Sequence, residues 1–126
     1  MTTILLVDDD PLQASLVVSL LGKRFGEVRR ATDAGEAFCL IEQPEFANRL
    51  GLVIYGHRRC GIGGPAFVSE LRTRIPHLPV LVLGTASESA ADYDTSDVVF
   101  LEKPFAGEKM LTLTGQMLAH PKNAVA

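Results

Sequence analysis

Three consecutive aspartates, Asp8, Asp9 and Asp10, follow directly on the apolar run Ile4-Leu5-Leu6-Val7. Carboxylates are hard oxygen ligands, and one or two of them can hold Mg²⁺ with several of its waters. Adjacent acids also repel, so a cation must lie near them whatever their role. The chain offers Lys103, just before Pro104, and the pair Arg58 and Arg59. Asp8 and Asp9 are therefore weak Mg²⁺ candidates or members of an ion-paired cluster with Lys103 or Arg58. The second reading is the plainer one, with Lys103 as counter-ion, and no metal is expected.

Other reactive side chains are sparse. His57 and Cys60 sit in a glycine-rich stretch with Gly61, Gly63 and Gly64. That stretch lacks dinucleotide-binding spacing, and its glycines serve more simply to turn the chain. Only the two arginines could lower the Cys60 pKa, so a thiol sensor there is a minor reading. Cys39 and Cys60 are the only cysteines. They show neither metal spacing nor a disulfide framework and read as reduced thiols of a cytoplasmic protein.

The elements that must hold these residues alternate. Ile4-Leu5-Leu6-Val7, Leu52-Val53-Ile54-Tyr55, Val80-Leu81-Val82-Leu83 and Val98-Val99-Phe100-Leu101 are continuous apolar runs, as in strands buried on both faces. Glu27-Val28-Arg29-Arg30-Ala31 is a weaker strand candidate. Between them lie helical patterns. Pro11 opens the first, with Leu12, Leu16 and Leu20 flanked by Val17 and Leu21 as its apolar face, and Gly22 or Gly26 as its end. Thr32 or Asp33 caps a second through Ala37, Phe38 and Ile41, and Pro44 breaks the chain beyond it. A third carries Phe67, Val68, Leu71 and Ile75, and a last one Met110, Leu111, Leu113, Met117 and Leu118. Residues 84–97 show little apolar periodicity.

Strands alternating with helices imply an α/β fold with a parallel sheet covered on both sides. Such sheets bind ligands beyond the carboxyl ends of their strands. Asp8, Asp9, Gly56, Gly84 and Lys103 all fall at those ends. The 126 residues fit one domain, over 1–120, with 121–126 as a flexible tail. A net charge of -3 gives no general attraction to nucleic acid or anionic membranes, and no helical pattern presents a basic stripe. No apolar run approaches the roughly 20 residues that span a bilayer, and the start lacks a signal-peptide pattern.

The series Leu6-Val7-Asp8-Asp9-Asp10-Pro11, Leu52-Val53-Ile54-Tyr55-Gly56, Pro79-Val80-Leu81-Val82-Leu83 and Phe100-Leu101-Glu102-Lys103-Pro104-Phe105 resembles response-regulator receiver domains of the CheY-like family over nearly the whole chain. The resemblance implies a flavodoxin-like (βα)5 three-layer sandwich with parallel strand order 2-1-3-4-5. It also implies roles. In such receivers two acids after the first strand hold a divalent cation, and an aspartate after the third strand takes a phosphoryl group from a histidine kinase. A serine or threonine after the fourth strand and an aromatic on the fifth respond, and a lysine before a cis-proline contacts the phosphoryl group. Here Asp8 and Asp9 match the cation acids, Lys103 the lysine, Pro104 the cis-proline turn and Phe100 the aromatic. Gly56 falls at the acceptor and Gly84 at the responding hydroxyl, with Thr85 one place later.

Glycine has no nucleophile, so the resemblance points to an atypical member that lacks the acceptor aspartate. The segment from Gly84 to Lys103 is also short for the family, which implies a shortened or irregular fourth helix. Without a phosphoryl group to follow, Phe100 reads better as a packing residue than as a switch. Arg58 or Arg59 could fold back to fill the acid pocket, although two solvated loop arginines are the plainer reading.

The sequence thus reads as a pseudo-receiver of bacterial two-component or phosphorelay signalling. Such a chain acts as a protein-interaction module, as monomer or homodimer, with no enzymatic activity and no cofactor. Its partner is a signalling protein such as a histidine kinase or another regulator. One alternative is a phospho-acceptor using Asp9, Asp10 or His57, although strand alternation should point His57 away from the pocket. Another is a small-molecule sensor that uses the space vacated at Gly56.

Overall fold

In a computed structural model, residues 2–56, 64–84 and 98–119 are described. Five strands, β1 (Thr3–Val7), β2 (Glu27–Ala31), β3 (Leu50–Tyr55), β4 (Val80–Gly84) and β5 (Val98–Glu102), form one sheet in the order β2-β1-β3-β4-β5. Every neighbouring pair is parallel. This is the flavodoxin-like order that the resemblance implies. The charged segment Glu27–Ala31 does form a strand. It lies at the sheet edge, where only one neighbour must be satisfied, and its exposed and half-buried residues alternate.

Alternation along the apolar strands sorts their side chains onto two faces. Leu5, Val7, Val53, Tyr55, Val80 and Val82 belong to one buried cluster. Ile4, Leu6, Leu52, Ile54, Leu81 and Leu83 belong to the other. Helices α2 (Ala34–Ile41), α3 (Pro44–Arg49) and α4 (Gly64–Arg74) cover the first face through Ala37, Ile41, Phe46, Phe67 and Leu71. Helices α1 (Pro11–Gly22) and α5 (Gly107–Leu118) cover the second through Val17, Leu21, Met110 and Met117. Each such buried Leu, Ile, Phe or Met contributes about 1.5–3 kcal/mol relative to exposure. On the first face Phe67 stacks between Tyr55 and Phe38, with centroids 4.3 and 5.1 Å away, and Arg74 lies 4.5 Å over the Phe38 ring.

Two expectations for the helices are corrected. Of the expected apolar face of α1, Val17 and Leu21 are buried and Leu20 packs half-buried on the second cluster, but Leu12 and Leu16 face outward. Ala14, Val17 and Leu21 are buried, whereas Leu12 is 83% and Leu16 61% exposed. Asp10 as N-cap and Pro11 in the first turn fix where the helix starts, and its phase then turns the smaller residues to the sheet. Pro44 does not simply break the chain. It opens the short helix α3, where a missing N–H costs nothing. α1 ends at Gly22, and Asp33 caps α2 by accepting from the Glu36 amide. The helix expected between β4 and β5 falls in 85–97, outside the described residues, as do Thr85 and the tail at 121–126.

Candidate functional site at the carboxyl ends of β1, β3 and β5

The strands deliver the site by register. Val7 of β1 pairs with Tyr55 of β3, and the Gly56 amide donates to the Val7 carbonyl at 2.9 Å. The next residue on each strand, Asp8 and Gly56, therefore points to the opposite face from Val7 and Tyr55. That is the face covered by α1 and α5. Asp8 is fully buried there. A β-carbon on Gly56 would meet Asp8 Oδ2 at 3.1 Å, Gln13 Nε2 at 3.3 Å and Leu83 Cδ1 at 3.4 Å. A side chain there would fit only if these side-chain ends gave by a few tenths of an ångström.

Both carboxylate oxygens of Asp8 are engaged. Oδ1 accepts from the Asp10 amide at 2.9 Å, and Oδ2 accepts from Gln13 Nε2 at 2.6 Å. Gln13 Nε2 also donates to the Gly56 carbonyl at 3.0 Å, and Lys103 Nζ donates to the same carbonyl at 3.2 Å. The Gln13 amide must face this way, because the flipped amide would set its oxygen against two acceptors. Arg30, from the edge strand β2, donates to the Asp8 backbone carbonyl from Nε at 3.1 Å and from Nη2 at 3.0 Å. The Lys103 amide donates to the Gly84 carbonyl at 2.6 Å, and the Lys103–Pro104 peptide is cis.

Burial pushes the Asp8 carboxyl above its ordinary value, because a charge is costly in a low-dielectric surrounding. The Asp10 amide, the Gln13 amide and the Lys103 charge partly offset this, and the nearby Asp10 carboxylate adds slightly to it. Lys103 acts on Asp8 through space. No ion pair to Asp8 within 4.0 Å occurs among the described residues, so direct contact with Lys103 is not the arrangement adopted.

The remaining acids stand apart from this network. Asp9 is half-buried, and its carboxylate makes no hydrogen bond or ion pair among the described residues. Asp10 Oδ1 accepts from the Leu12 amide at 3.0 Å and the Gln13 amide at 3.3 Å, so it works as the α1 cap. Phe100 is half-buried and packs against the first core cluster. His57, Arg58, Arg59 and Cys60 lie outside the described residues. Among the described residues no group of three or more His, Cys, Asp or Glu side chains could hold a metal ion. Each Asp8 oxygen already accepts one N–H, so Mg²⁺ at Asp8 would compete with the Gln13 amide for the approach to Oδ2. Asp9 is left as the unengaged member of the acid pair among the described residues, a weak set for the cation that the resemblance implies.

Sequence reasoning did not find Gln13 or Arg30. Gln13 sits among the apolar residues of α1 and reads there as an exposed polar position. Its proximity to Gly56 depends on the helix phase, which the Leu12-Leu16-Leu20 stripe obscured.

The model for the response regulator receiver domain matches residues 4–114, and the chain belongs to that family. Solved structures agree. The receiver domain of the hybrid histidine kinase CckA is 30% identical, with a TM-score of 0.74, over 92% of this chain and 98% of that one. The receiver domain of NtrX from Brucella abortus is 27% identical, with a TM-score of 0.74 and the same two coverages. A longer NtrX structure from Brucella abortus matches 94% of this chain at 26% identity and a TM-score of 0.77, but only 27% of its own length. No curated protein matches the chain. Among the described residues no helix is long and apolar enough to cross a membrane.

Proposed function

We propose that this receiver domain signals by protein contact without taking a phosphoryl group at the end of β3. The observation that carries the reading is the glycine that follows β3, Gly56. No side chain is present there to act as nucleophile, and an added β-carbon would press closely on Asp8 and Gln13. The family's chemistry needs an attacking carboxylate and a cation; here Gln13 hydrogen-bonds Asp8, and Gln13 and Lys103 both hydrogen-bond the Gly56 carbonyl. The chain is then a binding module of two-component signalling and not an enzyme, with no cofactor. Its partner is a signalling protein such as a histidine kinase or another regulator, met in the cytoplasm.

The surrogate acceptors differ in standing. Asp10 is tied to the start of α1, and His57 lies outside the described residues. The Asp9 carboxylate makes no hydrogen bond or ion pair among the described residues. The test is the intact mass of the protein after incubation with Mg²⁺ and a small phosphodonor. Unchanged mass supports the proposal. A stoichiometric phosphoryl adduct refutes it, and mapping would then decide among Asp9, Asp10 and His57.

A further inference from the structure

Gln13 Nε2 stands between two oxygens, 2.6 Å from Asp8 Oδ2 and 3.0 Å from the Gly56 carbonyl. A primary amide has two N–H donors, and each is spent on one of these oxygens. A cation bridging the same two oxygens would need the same place and would face the positive end of the amide dipole. Lys103 Nζ, 3.2 Å from the Gly56 carbonyl, takes a further share of that oxygen. Asp10 N–H occupies the other Asp8 oxygen at 2.9 Å. Asp8 Oδ1, Asp8 Oδ2 and the Gly56 carbonyl thus each already accept from a donor, whereas the Asp9 carboxylate does not among the described residues.

We propose that Gln13 is the seal of this pocket: its side-chain amide stands where a divalent cation would bridge Asp8 and the Gly56 carbonyl, and keeps one from binding there. The seal deepens the phosphorylation-independent reading and rests on it for its biological sense. Structurally it means that losing the acceptor is only half of the change. Restoring an aspartate at position 56 would leave the Gln13 amide in place. The added β-carbon would meet that amide at 3.3 Å, so the new carboxylate would have to share the corner with it.

The experiment is Mg²⁺ titration by calorimetry on the full chain and its Gly56→Asp, Gln13→Ala/Gly56→Asp and Gln13→Glu variants. The seal predicts that the double variant binds Mg²⁺ about tenfold or more tighter than Gly56→Asp, the weight of one hydrogen bond to a charged group. Equal affinities in those two variants overturn it. Gln13→Glu keeps the side-chain length but replaces the donor with a second carboxylate facing Asp8. Mg²⁺ should raise its thermal midpoint and leave that of the native chain unmoved. If the double variant does not fold, this comparison decides, and a Gln13→Glu protein indifferent to Mg²⁺ refutes the seal. A native chain that binds Mg²⁺ as tightly as the double variant refutes it too. Phosphoryl labelling of the native chain would instead count against the functional reading, and the affinity comparison would still stand on its own.

Discussion

Gly56→Asp puts a second carboxylate into a corner built for one. The new β-carbon would lie 3.1 Å from Asp8 Oδ2, with no left-handed backbone to forbid the side chain. One bond further out, the added charge stands roughly 4 Å from the Asp8 carboxylate. Two like charges at that separation repel by about 4 kcal/mol at an effective dielectric constant near 20. Lys103, whose charge already acts on Asp8, offsets part of this, and a net loss of about 2 kcal/mol at pH 7 remains. Gly56→Ala isolates the steric share. Its crowding is set against an unfolded-state gain of about 0.4–1 kcal/mol, so it should stay within about 1 kcal/mol of the native chain. The assay is urea unfolding of both variants in metal-free buffer, at pH 7 and below about pH 4, where the carboxyls protonate. Gly56→Asp should be the less stable of the two at pH 7, and the gap should close in acid. A Gly56→Asp protein as stable as Gly56→Ala at pH 7 would refute the electrostatic picture of the pocket.

Burial raises the Asp8 pKa above its ordinary 3.8, so the folded state favours the neutral acid. Its contribution to stability is fully present below that ordinary value and is lost as pH rises through the raised folded value. The stability of the native chain minus that of Asp8→Asn, from urea melts across that window, should therefore fall with rising pH; a flat or rising difference would contradict the assignment. Asp10→Ala removes the two amide acceptors at the start of α1 and should cost about 1 kcal/mol in the same melts. Phe67→Ala removes a fully buried ring stacked on Tyr55 and Phe38, with an expected loss of about 3–5 kcal/mol in thermal or urea unfolding.

The sheet was legible because apolar runs such as Ile4–Val7 and Val80–Leu83 are buried on both faces, and burial on both faces needs no phase information. Even Glu27–Ala31 could be read as a weak strand despite its charges. Helix faces were less legible. Leu12 and Leu16 look like core by residue type, yet capping at Asp10 and Pro11 turns Ala14 and Val17 inward. Pro44 likewise carries a start signal that resembles a stop signal. The site showed the same division. Asp8, Gly56, Gly84 and Lys103 could be placed because strand ends are countable along the chain. Gln13 could not, because its role depends on one helix phase bringing an amide to two oxygens from different strands.

The most direct test of the central claim is an amide NMR spectrum of the native chain, recorded with and without Mg²⁺ and beryllofluoride, a phosphoryl analogue. A pocket closed by Gln13 and lacking an acceptor predicts unchanged resonances for Asp8, Gln13, Gly56 and Lys103. Saturable shifts at those residues would show that the pocket takes up a cation and a phosphoryl mimic, and would contradict the account.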